Sequence, residues 1–217
     1  MISDQPVDYN VTKREDIFSG YVMDLRRDDF DFDGETLRRE YIVHPGAVAV
    51  IAMDHEGKLL LVKQYRHPQG KVMWEPPAGL LDALDEDPLE CAKRELLEET
   101  GYEASKWEVL LDFANTPGGS SEQIRIYFAQ GLKMHEGGRP PSSDEESSMT
   151  VHWVPLSEVL ASIGAGLVTN AALVVGSLAL VTALAEPETM LRPANSAWPA
   201  REDILKNGRV RLPKSKG

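Results

Sequence analysis

Residues 88–100 carry both the start and the stop signals of one α-helix. Asp87 can cap the first turn, Pro88 suits the first helical position, and Glu90 would complete a capping box. Gly101 follows the last turn, where a glycine readily takes the left-handed conformation that ends a helix. The apolar positions share one face, so the sequence predicts a helix that packs on a core through Leu89, Ala92 and Leu96.

The last turn of this predicted helix carries three glutamates. Glu95, Glu98 and Glu99 follow the i, i+3, i+4 spacing, which places them on one face. Like charges at this spacing repel, and the negative end of the helix dipole disfavours acids. A hard divalent cation, such as Mg²⁺ or Mn²⁺, takes carboxylate oxygens and would offset this repulsion. The residues alone leave a second interpretation open, a solvated acidic face on which Arg94 and Glu98 pair.

The segments on both sides of the helix are typical of strands. Residues 21–30 and 35–44 predict a hairpin with its turn at 32–35. Residues 47–67 contain two β segments around His55-Glu56-Gly57, and their continuous Ala, Val, Ile and Leu content indicates burial on both faces. Three further strands are predicted at 106–114, 123–132 and 149–156.

Two more helices are predicted after the last strand, at 157–163 and 171–185. This order of elements predicts a mixed-sheet α/β sandwich. We expect three regions, which are a small N-terminal antiparallel β unit (1–45), the main domain (46–190) and a C-terminal tail (191–217). The tail is basic and contains prolines, so we expect a loosely packed terminus; an arm that clasps a partner subunit is the alternative.

The composition excludes several classes of protein. The 217 residues include 23 Lys and Arg and 35 Asp and Glu, a net charge of −12, which argues against nucleic acid or an anionic membrane as partner. The single cysteine, Cys91, excludes an intrachain disulfide. As a helix, the apolar segment 171–185 is about 22 Å long, too short to span a bilayer, and predicts burial in a core or against a second subunit. No secretory signal is visible at the N-terminus, so we expect a cytoplasmic protein.

The region around the glutamate-bearing helix resembles a known signature. Residues 79–103, GLLDALDEDPLECAKRELLEETGYE, are similar to the Nudix hydrolase pattern G-x5-E-x7-R-E-U-x-E-E-x-G-U, in which U is bulky and aliphatic. Two positions depart from the pattern, since six residues separate Gly79 from Glu86 and the aromatic Tyr102 takes the last position. The resemblance implies the Nudix fold, an α/β/α sandwich with a mixed central sheet, here with the N-terminal β unit added.

The same resemblance implies a metal site on the helix. Glu95 and Glu99 would be the main ligands of Mg²⁺ or Mn²⁺, with two or three ions in each active site. Glu98 would be a further ligand or would support the ligands from beside them, in either case with a catalytic role, and the main-chain carbonyl of Ala78 would complete the set.

The resemblance also implies a catalytic role for residues around these ligands. Arg94 would orient the carboxylates, and Glu86 would hold Arg94. The polar loop at 144–148 would close over the substrate and deliver a glutamate to the attacking water and the metal. Glu146 is the favoured residue for this role, and Glu145 is the near alternative.

Features outside the signature resemble the ADP-ribose pyrophosphatase subgroup. Pro117 lies sixteen residues after Gly101 and opens a loop that continues through Gly118 to Glu122. By this resemblance Pro117 and Gly118 would belong to a substrate-binding loop whose Glu122 contacts the terminal ribose, since a carboxylate can accept two hydrogen bonds from a sugar diol. A simple turn followed by a surface glutamate is the alternative that the residues alone allow.

Cations on the predicted strands extend the resemblance. Arg39 and Arg66 would bind the diphosphate or the adenosine half of the substrate, and Glu40, beside Arg39, would also be a substrate-binding residue. The bare sequence also allows these residues to form surface ion pairs. Tyr21 in the N-terminal unit would stack on adenine, in a pocket that both subunits of a homodimer help to build.

The resemblance implies metal-dependent hydrolysis of ADP-ribose to AMP and ribose 5-phosphate. Two alternatives stay open: a different nucleotide sugar or dinucleotide such as NADH is the substrate, or the protein is a sensor that binds ADP-ribose without cleaving it. All the signature carboxylates are present and no basic recognition helix is visible, which favours the enzyme.

Overall fold

The computed structural model describes residues 2–82, 86–141 and 148–211. The strands in these ranges are β1 (Val11–Ser19), β2 (Asp24–Phe32), β3 (Glu35–Val43), β4 (Ala47–Ala52), β5 (Lys58–Arg66), β6 (Lys71–Glu75), β7 (Ala78–Leu80), β8 (Tyr102–Ala114), β9 (Gln123–Met134), β10 (Thr150–Pro155) and β11 (Arg192–Pro193). The helices are α1 (Pro88–Thr100), α2 (Leu156–Gly164), α3 (Ala171–Ala185), α4 (Pro187–Met190) and α5 (Pro199–Lys206).

These strands form three sheets. The N-terminal sheet has the order β1-β2-β3, the central sheet has the order β11-β8-β9-β4-β7, and a third sheet has the order β10-β5-β6. In the central sheet β4 and β9 run parallel while the other pairs are antiparallel, so the sheet is mixed, as predicted.

Helices cover both faces of the central sheet. Val48 and Val50 of β4 belong to the same buried cluster as Leu96 of α1. Ala49 and Ile51 lie on the opposite face, in a second cluster that includes Leu173 and Leu180 of α3. Because successive strand residues point to opposite faces, residues 48–52 of β4 are buried alternately on the α1 side and on the α3 side of the sheet. The predicted α/β/α sandwich is confirmed, as is the burial of this strand on both faces.

The predicted N-terminal hairpin is confirmed. Phe32 pairs with Glu35 across the turn, and the two central residues, Asp33 and Gly34, have φ angles of 49° and 88°. Positive φ at both positions is the condition of the tight turn that suits a twisted hairpin.

The first strand was missed by the sequence prediction. β1 carries few apolar residues and is largely exposed. It is joined to β2 by ion pairs between the strands, in which Arg14 contacts Asp28 at 2.9 Å and Arg26 contacts Asp16 at 2.7 Å. Cross-strand partners of this kind lie outside any local hydrophobic pattern, which is why the strand gave no signal.

Helix α1 begins and ends where its sequence signals predict. The Asp87 carboxylate accepts from the backbone N–H of Leu89 at 2.8 Å, and Gly101 has a φ of 79°. One detail was wrong: Glu90 does not close a capping box, because its carboxylate accepts from the Lys93 ammonium at 2.7 Å.

The tail is more firmly packed than predicted. Trp198 is 5% exposed and belongs to the α1 side of the core, with the guanidinium groups of Arg125 and Arg201 4.7 Å and 5.7 Å from its ring centre. Arg211 is buried and donates to the carbonyl of Gly20 at 3.0 Å. The expectation of a loosely packed terminus is therefore wrong for residues 192–211, because one buried aromatic and several paired arginines anchor them to their own chain.

Helix α3 spans the predicted residues, with the Asn170 side chain accepting from the backbone N–H of Leu173 at 2.9 Å. Within the described ranges, no helix combines the length and the apolar character needed to cross a membrane. One face of α3 packs on the central sheet, while Leu178, Val181 and Leu184 on the other face are exposed.

Two adjacent residues of α3 should respond oppositely to alanine. The Ser177 hydroxyl is fully buried and has no hydrogen-bond partner among the described residues, so Ser177→Ala should raise the free energy of unfolding by about 1 kcal/mol. A Cβ at Gly176 would lie 2.8 Å from the Ile51 side chain, and overpacking of about 1–3 kcal/mol should outweigh the helix-propensity gain of about 1 kcal/mol. Urea unfolding of both variants tests this, and a destabilised Ser177→Ala would contradict it.

Candidate active site

The last turn of α1 faces strand β7. Glu99 is 5% exposed, and its carboxylate accepts from the backbone N–H of Ala78 at 3.0 Å. The Glu95 side chain lies against Gly79, so closely that a Cβ at this position would overlap the carboxylate. A residue without a side chain therefore lets the strand approach the helix, and the Ala78 backbone and the glutamates come together.

Arg94 organises the acidic face of the helix. Its Nε and Nη2 donate to the two carboxylate oxygens of Glu86 at 2.8 Å and 3.0 Å, while Nη1 donates to Glu95 at 2.6 Å and to Glu98 at 3.0 Å. Hydrogen bonding to Glu86 raises the pKa of the Arg94 guanidinium, and the same bonds lower the pKa of the Glu86 carboxyl. Both groups are held in their charged forms, in the arrangement that the resemblance implies for this pair.

The oxygens at this site have the chemistry that a hard divalent cation requires. Glu95, Glu98, Glu99 and the Ala78 carbonyl supply carboxylate and main-chain oxygens, the donors that Mg²⁺ and Mn²⁺ prefer. Over 2–82, 86–141 and 148–211, no three His, Cys, Asp or Glu side chains are already arranged around a metal position. The Arg94 guanidinium donates to both Glu95 and Glu98, and the chemistry of the carboxylate and main-chain oxygens fits a hard divalent cation.

A cavity of about 910 Å³ adjoins these carboxylates. Its size is within the range of small-molecule binding sites. Its polar lining comes from Gln64, Arg66, Gln69, Glu75, Asp82, Arg94, Glu95, Glu98, Glu99, Asn115, Glu122, Thr169 and Asn170. The cavity thus brings two of the predicted substrate-binding residues, Arg66 and Glu122, into one space with the predicted metal ligands.

Glu75 is a cavity residue that the sequence prediction missed. It ends β6, is 2% exposed, and accepts from Arg66 Nε at 2.9 Å and from Arg66 Nη2 at 2.6 Å. A signal was present, because an acid directly follows the apolar residues of a short strand and buried acids are rare unless they are paired.

Glu122 is held at the cavity wall by two neighbours. Asn115 Nδ2 donates to one carboxylate oxygen at 2.7 Å, and His44 Nε2 lies 3.5 Å from the other. The backbone N–H of Gly46 donates to His44 Nδ1 at 3.1 Å, so the neutral ring carries its proton on Nε2, toward Glu122. Pro117 and Gly118 lie on the exposed turn of this loop and not among the cavity residues.

His44 should make the fold sensitive to acid. Burial lowers the pKa of His44, with Glu122 raising it and Arg211 lowering it further. Below an unfolded pKa of about 6.5 the unfolded chain binds the proton more readily, so stability falls as the pH drops through this value. We expect unfolding free energy to decrease less between about pH 7.5 and pH 5.5 for His44→Asn than for the wild type. Equal decreases in urea unfolding would contradict this assignment.

Three predicted substrate-binding residues lie elsewhere in this chain. Arg39 donates to the carbonyl of Arg38 at 2.8 Å, Glu40 accepts from Arg27 at 2.6 Å, and Tyr21 is 96% exposed. None of the three lines the cavity formed by the described residues, although Val22, which follows Tyr21 in the β1–β2 turn, does. Glu145 and Glu146 lie outside the described residues, and their role stays a prediction.

Comparison with known proteins decides the family. The model of the NUDIX domain matches residues 43–170, which include α1 and most of the residues that line the cavity. The chain belongs to the Nudix family. The match contains Glu86, Arg94 and the three glutamates of the last turn of α1, the residues that carried the resemblance.

Curated relatives of this Nudix protein include two ADP-ribose pyrophosphatases. The ADP-ribose pyrophosphatase of Mycobacterium tuberculosis (strain ATCC 25618 / H37Rv) is 40% identical over 195 residues, 88% of this chain and 91% of the relative. The ADP-ribose pyrophosphatase of Bacillus subtilis (strain 168) is 40% identical over 148 residues, 68% and 78% of the two chains. The methanol dehydrogenase activator of Bacillus methanolicus is 48% identical over 134 residues, 61% and 72%.

A solved structure supports the Nudix fold. The crystal structure of an ADP compounds hydrolase superposes with a TM-score of 0.67 and covers 96% of this chain and 100% of its own. The sequence identity is 20%, so this likeness shows the fold alone.

Proposed function

We propose that this Nudix protein hydrolyses the diphosphate bond of ADP-ribose to give AMP and ribose 5-phosphate. The observation that carries the proposal is the cavity, which brings the three glutamates of α1, Arg66 and Glu122 into one space. A diphosphate needs cations, and a ribose diol needs an acceptor, so one elongated substrate satisfies both parts of the cavity. The names of the two relatives at 40% identity support the same substrate.

The metal proposed for this site is Mg²⁺ or Mn²⁺, with two or three ions in each active site. Glu95, Glu98, Glu99 and the Ala78 carbonyl would hold it, and Glu146 is a proposed further ligand. When bound, such an ion neutralises charge on the phosphoryl oxygens and lowers the pKa of a coordinated water.

The chain's own residues would position the substrate and move the proton. Arg66 would donate to diphosphate oxygens, since a guanidinium matches phosphate geometry. Glu122, steadied by Asn115 and His44, would accept from the terminal ribose. Glu146, or Glu145 in its place, would accept the proton of the attacking water.

A homodimer is part of the proposal. Tyr21, Arg39 and Glu40 would reach the adenosine half of a substrate bound in the other subunit, since their own cavity does not include them. The exposed apolar face of α3 is consistent with a subunit contact. We further propose a cytoplasmic enzyme that acts on small molecules and not on nucleic acid or membranes, in keeping with its net charge of −12.

A substrate panel tests the proposed reaction. ADP-ribose, NADH and a sugar nucleotide are incubated with the protein, with and without Mg²⁺, and AMP or another nucleoside monophosphate is measured by chromatography. We expect AMP from ADP-ribose only with the metal, at the highest kcat/KM of the panel. Preference for another member would overturn the substrate, and binding of ADP-ribose without cleavage would indicate a sensor.

A further inference from the structure

We propose that Glu75 is a positioning residue for the diphosphate, acting through Arg66. This inference deepens the proposed function and rests on it, because it assumes that Arg66 contacts the phosphoryl groups. Three hydrogen bonds join the pair: Arg66 Nε donates to both Glu75 oxygens at 2.9 Å and 3.2 Å, and Nη2 donates to one of them at 2.6 Å. Side-on contacts of this kind fix the plane of a guanidinium as well as its place.

The strand register shows how far the Arg66 side chain extends to contact Glu75. Arg66 pairs with Lys71 at the far end of β5 and β6, whereas Glu75 pairs with Val62, four positions away. At about 3.3 Å per residue the two backbones are separated by about 13 Å along the strands. The Arg66 side chain therefore reaches back along the sheet, toward Ala78 and the carboxylates of α1, and Glu75 is the group that it meets.

The difference in burial indicates which side chain of the pair is fixed by its surroundings. The Glu75 side chain is 3% exposed and that of Arg66 is 44% exposed, so the acid is the fixed partner and the arginine is the more exposed of these two cavity-lining side chains. A side chain with the rotamer freedom of arginine loses less entropy on binding a ligand when it is already held. Glu75 would accordingly act before the substrate arrives, by presenting Arg66 in one orientation.

The charge of Glu75 distinguishes positioning from simple electrostatics. A carboxylate beside an anionic diphosphate repels it, so neutralising Glu75 alone would favour substrate binding through charge. Loss of orientation acts in the opposite sense, since a misplacement of about 1 Å can reduce turnover by about 100-fold. The two readings therefore predict different changes in kcat and KM.

The test is a double-mutant cycle on steady-state hydrolysis with Mg²⁺. We expect Glu75→Gln to reduce kcat by about 10–100-fold with a smaller change in KM. Arg66→Lys keeps the charge but removes the planar fork, and in that background Glu75→Gln should change kcat by less than about 3-fold. An additive effect in the double variant, or a lower KM with unchanged kcat in Glu75→Gln, would overturn the proposal.

A matched control separates positioning from folding. Asp112→Asn removes the charge from another arginine–carboxylate pair, in which Arg125 donates two hydrogen bonds to Asp112, at 2.7 Å and 3.0 Å. Neither residue of this pair lines the cavity. We expect this control to lower the melting temperature and leave kcat per folded molecule unchanged. Should Glu75→Gln fail to fold, Glu75→Asp keeps the charge on a shorter side chain, and we expect the same loss of kcat; wild-type kcat in Glu75→Asp would overturn the proposal.

Failure of the proposed substrate is distinguishable from failure of this inference. If the wild type leaves ADP-ribose intact but cleaves another nucleoside diphosphate derivative, the proposed substrate falls. The same cycle run on that compound still decides the role of Glu75, because the inference concerns the diphosphate and not the ribose.

Discussion

Replacing Glu99 with glutamine should abolish most turnover and leave the fold intact. The Glu99 carboxylate is buried beside Ala78 and accepts its backbone N–H at 3.0 Å, a bond that the carbonyl oxygen of glutamine can also accept. Glutamine removes the charge that would hold a divalent cation. Mutation of a residue that only supports a metal ligand typically lowers metal affinity or activity by about 10–100-fold. We therefore expect loss of a ligand itself to reduce kcat by at least about 100-fold.

Two measurements separate metal binding from folding in this variant. Calorimetric titration with Mn²⁺ should show weaker uptake, and thermal unfolding should give a melting temperature equal to the wild type or higher, since one like charge has left the helix. Glu90→Gln is the control, because Glu90 lies on the same helix and pairs with Lys93 at the surface. Near wild-type turnover in Glu99→Gln would remove Glu99 from the set of ligands.

Local signals account for the parts of the fold that the sequence predicted well. Asp87 and Gly101 bound α1, Asn170 begins α3, and the residues 32–35 define a hairpin turn. Each signal acts within a few residues, through a cap or a positive φ angle, so no knowledge of the distant chain is needed.

The parts that the sequence did not predict depend on distant partners. β1 is held to β2 by charged pairs such as Arg14 with Asp28, and the tail is held by Trp198 in the core beside Arg125. The composition of both segments suggested that they are solvated, because the local sequence does not show which distant residue a charged side chain will pair with.

The same limit applies to the candidate site. The glutamates of α1 could be assigned to one face from their spacing, and a family pattern gave them roles. The local sequence could not show which cationic residues share the cavity with these glutamates, since Arg66 lines the cavity while Arg39 does not. The position of Glu75 after the apolar residues of a short strand was a local signal of burial, but its contact with Arg66 on the neighbouring strand was not predictable from the local sequence.

Alanine at Gly79 should inactivate the enzyme by displacing Glu95. A Cβ at this position would overlap the Glu95 carboxylate, and the overlap is relieved when that side chain swings away from β7. The backbone at Gly79 does not have a positive φ, so alanine brings no strain of its own. We expect kcat/KM for ADP-ribose to fall by about 100-fold, the effect of misplacing one group at the reacting centre.

The stability of this variant decides between a local and a global cause. Glu95 is a polar side chain that can turn toward solvent, so the melting temperature of Gly79→Ala should stay within a few degrees of the wild type, while Mn²⁺ uptake weakens as in Glu99→Gln. Gly164→Ala is the matched control: it too lacks a positive φ, a Cβ there meets open space, and the residue ends α2 away from the cavity. We expect wild-type turnover from that control. Full activity in Gly79→Ala would mean that Glu95 need not lie against β7, and the placement of the metal between helix and strand would then be wrong.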